Sequence, residues 1–218
     1  MIRRPPRSTQ GVSSAASDVY KRQAIAVSDV SLGDSAPKDR LPIYIAALGP
    51  RMLEMAGEVA DGVLLSWTAA HYLKEAIKIV QGGAVKVGRD PSEVAISGYL
   101  RVAVTDDIAA GRASLQRQIA RYASSTHYQD FFRSTGFQIE MEHAQQGRDH
   151  SDNLAMASAI GESMQDEVGV VGSAEVCLAR IEELREMGLT KPIIAPVPVG
   201  GLKESYERTI KALSPILN

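Results

Sequence analysis

Short apolar runs alternate along this chain with stretches whose apolar residues recur every three or four positions, the first spacing marking strands and the second helices. Pro42 to Leu48 is almost wholly apolar and stops at Gly49-Pro50, which predicts a strand buried on both faces. Met52, Ala56 and Val59 then share one face of a predicted helix from Pro50 to Ala60. Asp61-Gly62 turns the chain into a second buried strand, Val63 to Ser66, and Leu73, Ala76, Ile77 and Val80 mark the next helix. A third strand is predicted within Val94 to Val104. After it, Thr105-Asp106-Asp107 offers an N-cap and an acidic first turn to a helix carrying Leu115, Ile119 and Tyr122. From Ser125 to Val171 the pattern predicts two or three helical pieces and no strand. Ser173 caps a helix with Glu175 in its first turn, running through Ile181 and Leu184 to Gly188. Pro192 to Pro196 is a fourth strand, and Leu202, Tyr206, Ile210, Leu213 and Leu217, spaced by fours and threes, mark a final helix.

This β-α order, four times over, predicts parallel strands joined by right-handed crossovers. Such strands belong to an open doubly wound sheet or to a closed barrel. No strand is followed by a G-x-G-x-x-G turn, which weakens the dinucleotide-binding sheet. The last strand feeds a single C-terminal helix, as the eighth unit of a (β/α)8 barrel does. A barrel of that kind takes about 250 residues, and this chain supplies about half the strands.

Composition narrows the class. With 44% hydrophobic and 23% charged residues and no apolar run near 18 residues, the body reads as one globular domain, or part of a larger one, with no membrane segment. Cys177 is the only cysteine, which excludes disulfide frameworks and Cys-based metal sites and suits a reducing cytoplasm. It shares a helix face with Ile181 and Leu184, so its expected role is packing.

The first 23 residues depart from this pattern. They carry Arg3, Arg4, Arg7, Lys21 and Arg22 against a lone Asp18, yet lack the apolar core of a signal peptide, and Pro5-Pro6 breaks any amphipathic transit helix. Removing their net +4 from the chain's −2 leaves the body at −6, which repels phosphate backbones and argues against nucleic acid as partner. Read as codons, MIRRPPRST and SSAASDVYKRQ resemble translated sequencing-library adapters in their proper order. Native sequence is therefore expected to begin near Ala24, with residues 24–218 forming one domain.

Two strand ends carry candidate chemistry. At AALGPR, Pro50 suits the first helical position and Gly49 lets backbone approach a ligand. The amides of Arg51 and Met52, the helix dipole and the Arg51 side chain would together hold an anion, such as the phosphate of a cofactor tail; a plain strand-to-helix turn is the other reading. Ser66, Trp67 and Thr68 end the next strand, where barrel enzymes build their pockets, and are expected to face substrate; Trp67 either walls a planar ring or packs under the following helix. No metal is expected. His71 reads as a surface or supporting residue, and His127, His143 and His150 lack the i, i+4 spacing of a helix-borne metal site. The pairs Glu182-Glu183 and Asp106-Asp107 point apart and read as solvated charge.

The runs LPIYIAALGPRMLEMAGEVADGVLLSW, GYLRVAVTDD and GVVGSAEVCLARIEELREMGLTKPIIAPV resemble the C-terminal half of the luciferase-like monooxygenase family, within it the oxidoreductases that use the deazaflavin coenzyme F420. The resemblance implies an α/β fold, an incomplete TIM barrel with strands five to eight, their helices and a helical insertion. It also implies a small-molecule substrate, a homo-oligomeric intact protein and cofactor-tail contacts at Ala47, Leu48, Gly49, Pro50 and Arg51. FMN is the alternative cofactor, giving a flavin monooxygenase; a non-catalytic phosphate-binding half-barrel dimer is the alternative outside enzymes. Acid and base residues are expected mainly on the first four strands, before Ala24, so no catalytic residue is assigned. The chain as written is expected to be inactive.

Overall fold

The computed structural model describes residues 40–150 and 152–214; residues 1–23 and Leu217, on which expectations were set, lie outside them. The chain divides into Met1–Leu41 and Pro42–Asn218, and the second unit carries the fold. Its strands are β1 (Tyr44–Ala46), β2 (Gly62–Ser66), β3 (Ala95–Val104), β4 (Gly169–Gly172) and β5 (Lys191–Pro196). Helices α1 (Pro50–Val59), α2 (Ala70–Lys86), α3 (Ile108–Ala123), α8 (Ala174–Glu186) and α9 (Leu202–Leu213) connect or follow them. Between α3 and β4 lie α4 (Thr126–Ser134), α5 (Gln138–Asp149), α6 (Asn153–Ser158) and α7 (Glu162–Val168).

Every strand pairing is parallel. β2 pairs with residues 95–99 of β3 and β4 with residues 101–104, while β5 spans 97–102 and overlaps both. A strand has two edges, so β2 and β4 lie end to end along one edge of β3 and β5 runs along the other. The main order is therefore β1-β2-β3-β5, the four predicted strands, with β4 as a fifth that the sequence pattern did not predict. Four residues of which two are glycine carry no usable period, so the pattern runs GVVG into a strandless insertion.

The register assigns the faces. Tyr44, Gly62 and Ala95 are in line, as are Ser66 and Tyr99, and Arg101 and Ala195. These residues face inward. Val63 and Leu65 point outward into a core with Leu53, Ala56, Leu73 and Val80, and Val102 and Val104 into one with Cys177, Ile181 and Leu213. Each fully buried Val or Leu there contributes about 1.5–3 kcal/mol. Cys177 is buried as expected, and burial pushes its thiol up to about 11.

Tyr44 lies across Gly62 and its hydroxyl sits 2.7 Å from Lys191 Nζ, a contact between the two outermost strands. Side chains stand roughly perpendicular to a sheet, so this contact requires the sheet to curl. The result is a trough with helices outside, an incomplete barrel that does not close. Its open inner face corrects the expectation that β1 is buried on both sides: Ala46 is exposed and Tyr44 half-buried.

The two flanking helices also differ from their predicted faces. α1 buries Leu53, Ala56 and Gly57 and leaves Met52 and Val59 exposed. Its rotation is set by backbone contact: a methyl group on Gly57 would overlap the Val80 carbonyl, and one on Gly83 the Glu54 carbonyl. Arg89 holds the other end, donating from Nη1 to Gly57 O (2.9 Å) and from Nη2 to Ala60 O (2.8 Å). α9 buries Ser205, Thr209 and Leu213, whereas Leu202, Tyr206 and Ile210 are exposed. Here Ser205 decides: its hydroxyl accepts from Val199 N and donates to Val199 O, which draws a polar face inward.

Candidate active site

The carboxyl ends of β1, β2 and β5 and the middle of β3 converge on a recess of about 630 Å³ on the inner face. Ser66 comes from β2, Tyr99 and Arg101 from β3, Arg121 and Tyr122 from α3, and Tyr128 from α4. Period-2 alternation puts Tyr99 and Arg101 on the same side of β3, and the insertion bends back over them.

Aromatic packing builds the floor and wall. The Trp67 ring lies 5.0 Å from Tyr122, and Tyr122 meets Tyr128 edge-on at 4.9 Å. The Arg101 guanidinium carbon sits 4.6 Å from the Trp67 centroid, 5.4 Å from Tyr99 and 5.8 Å from Tyr122. Trp67 itself has φ of 57°, a left-handed conformation that costs a bulky residue about 1–3 kcal/mol and turns the chain sharply off the end of β2. That turn drives the indole inward, where it is 1% exposed.

The residues singled out from sequence are therefore not all in one place. Ser66 lines the recess; Trp67 lies beneath Arg101 in the core; Thr68 lies on the outer side of the sheet with Leu100, Val168 and Leu184. At the other strand end, Ala47 is buried and Leu48 packs into the cluster holding Trp67, while Pro50 and Arg51 are exposed. Gly49 is the N-cap of α1 with Pro50 at its first position, and open space surrounds the place a Gly49 Cβ would take. The Met52 amide donates to Gly49 O at 3.0 Å, so it is not available to an anion. Arg51 is the first residue of α1 whose amide can reach one, since Pro50 has none.

Arg101 is the residue that sequence reasoning missed. A single arginine in an otherwise apolar strand, two positions from a tyrosine, was the available signal.

His71 supports the site without entering it. Its amide and its Nδ1 each lie 3.0 Å from Glu167 Oε2 on α7, and its Nε2 lies 2.8 Å from Thr135 O at the end of α4. Both ring nitrogens face acceptors, so the two ring bonds form together only when the imidazole carries both protons. Burial raises the Glu167 carboxyl. The bonds from His71 and the charges of His71 and Arg180 outweigh that and hold it below the usual range. This contribution is full above the ordinary carboxylate value and is lost as pH falls through the lowered one. Glu167→Gln is expected to remove that acid limb from the pH dependence of the thermal midpoint and, the pair being half-exposed, to cost no more than about 1 kcal/mol near neutrality. An unchanged acid limb would show that the clamp is idle.

Among the described residues no cluster of three or more His, Cys, Asp or Glu could hold a metal ion, and no helix is long and apolar enough to cross a membrane.

Known proteins resemble this chain in both architecture and sequence. The chain is 33% identical over 183 residues to a 5,10-methylenetetrahydromethanopterin reductase of Methanolobus tindarius, covering 78% of this chain and 52% of that protein. It is 27% identical over 167 residues to the protein of the same name from Methanopyrus kandleri, covering 75% and 47%. In fold it is similar to the coenzyme F420 dependent tetrahydromethanopterin reductase of Methanopyrus kandleri, at a TM-score of 0.68 and 21% identity over 82% of this chain and 51% of that one. It is also similar to an F420-dependent secondary alcohol dehydrogenase, at a TM-score of 0.61 and 18% identity, covering 98% and 64%. The chain spans about half the length of the curated relatives it matches. With a curled parallel sheet, a recess at the strand ends and a match to the family over residues 17–191, the chain belongs to the luciferase-like monooxygenase family.

Proposed function

We propose that the chain is the C-terminal half-barrel of an F420-dependent oxidoreductase that moves a hydride between the deazaflavin and a small organic substrate. The observation that carries the reading is the pairing of two features at one end of the sheet: an exposed helix start able to hold an anion, and an aromatic recess able to hold a planar ring. Support also comes from the relatives, since the two similar in sequence are named as reductases and the two similar in fold are F420-dependent enzymes by name.

The residues present fit such a cofactor. Arg51, with its amide, its side chain and the positive end of α1, suits a tail phosphate, and the open space at Gly49 leaves room for it. Tyr99, Tyr122 and Tyr128 offer faces and edges to a planar ring and exclude water from it, and Ser66 offers a hydroxyl. When bound, the deazaflavin supplies the ring carbon that gives or takes the hydride. The chain's own part is orientation: it holds ring and substrate on one wall of the trough so that the two carbons meet at a fixed distance.

Titration with F420 and with FMN, following cofactor fluorescence, tests the assignment. F420 is expected to bind at least about tenfold more tightly, with Arg51→Ala weakening it about tenfold, the size of one charge-assisted hydrogen bond. Tighter FMN binding would make the chain part of a flavin monooxygenase instead.

A further inference from the structure

We propose that Arg101 makes the recess an oxyanion-recognition site, selecting a planar ligand that carries a carboxylate or phosphate. The inference deepens the proposed function by naming a substrate class. It rests on that reading only for the identity of the recess as the reaction chamber.

Arg101 is 9% exposed, yet no hydrogen bond or ion pair with a described residue engages its guanidinium, and Nη1 is buried without a partner. Buried arginines are normally paired with a carboxylate, because an uncompensated charge in a poorly solvated place is costly. Here the compensation comes from three aromatic faces, which stabilise a cation without satisfying its N–H donors. No described residue takes these donors; Nη1 is shut away from solvent, and Nε and Nη2 are left to meet a ligand.

The surroundings point the same way. The side chain lines the recess, and Arg121 of α3 lines it as well, whereas no Asp or Glu does. A concave surface with two guanidiniums, tyrosine hydroxyls and no carboxylate attracts anions and repels cations. A guanidinium presents a planar fork that matches a carboxylate or phosphate through two parallel bonds. Tyr99, Tyr122 and Tyr128, which line the recess with Arg101, present aromatic surface to whatever ring bears that group.

Trp67 is the only tryptophan in the chain and lies against Arg101, so its emission reports binding without any cofactor. The full chain is titrated with benzoate, with its neutral isostere benzamide and with inorganic phosphate. Benzoate or phosphate is expected to shift Trp67 emission saturably, and benzamide at the same concentrations to leave it unchanged. Arg101→Gln is expected to weaken the oxyanion about tenfold or more and Arg101→Lys to weaken it less, because lysine keeps the charge and loses the fork. Tighter benzoate assigns the oxyanion to a substrate carboxylate; tighter phosphate assigns it to a cofactor phosphate. If Arg101→Gln does not fold, the preference of the unaltered chain for benzoate over benzamide decides, with the exposed Arg121→Gln as a second variant expected to weaken benzoate by a smaller factor. Equal binding of benzoate and benzamide, or no response to either anion, would overturn the proposal. Since no cofactor is present, oxyanion binding that persists when F420 does not bind separates this proposal from the reading it deepens.

Discussion

Alanine at Gly83 is expected to destabilise the chain by about 2 kcal/mol or more, while alanine at the adjacent Gly82 stabilises it by up to about 1 kcal/mol. Both glycines lie within α2. In a helix interior, Gly→Ala removes backbone freedom from the unfolded chain, and that gain is the same at either position. The environments differ. Open space surrounds the place of a Gly82 Cβ, whereas a Gly83 Cβ would overlap the Glu54 carbonyl of α1. The opposing atom belongs to backbone and cannot rotate away, so α1 must move. Gly57 of α1 makes the reciprocal approach to Val80, and the Arg89 bonds to Gly57 and Ala60 resist the displacement. Urea unfolding of the two variants should show midpoints moving in opposite directions; stabilisation by both would mean that the helices are not locked by their backbones.

Phe132→Ala is expected to cost about 3–5 kcal/mol, the usual loss for a large aromatic removed from a closed core. Phe132 is fully buried, with Tyr128, Phe131 and Phe137 rings at 6.2, 5.8 and 6.4 Å. It belongs to the same cluster as Trp67, Leu115 and Ile119, so the cavity would open directly behind the recess. Hydrogen exchange should accelerate first in α4 and α5, and the Trp67 emission should shift as its support loosens. A loss below about 1 kcal/mol would show that the insertion collapses around the gap.

The apolar pattern predicted four strands as apolar runs bounded by turn residues, and the helices between them as elements long enough to repeat a period. It predicted the start of α1 as well, since Pro50 marks a first helical position wherever it occurs. Faces were harder to read. The burial of Gly57 and Gly83 in place of Met52 and Val59 depends on two backbones meeting, and a single sequence carries no trace of the partner. Ser205 and Thr209 look like surface residues until Val199 is folded back to meet Ser205. The strand ends at AALGPR and SWT were legible, but their directions were not: the left-handed turn at Trp67 sends one neighbour into the recess and the other away from it. Arg101 was hidden for the opposite reason. Its strand is legible as a strand, but barrel chemistry is expected at strand ends and Arg101 lies three residues before the end of β3.

β3 carries two neighbours in succession along one edge, β2 up to Tyr99 and β4 from Arg101 onward. The chain that leaves the tip of β3 therefore returns to that same strand, and everything in between is a closed loop anchored at both ends on one ladder. Closing such a loop costs entropy that grows only with the logarithm of its length, about 0.6 kcal/mol for each doubling. Residues can be added in the turns between the helices of this loop at little cost in closure, because the register of β4 against β3 does not depend on how far the chain has travelled; the helices themselves, which bury Phe132 and Met141, are held by packing. The turns in the roof over Arg101 are thus free to change length while the sheet beneath stays the same.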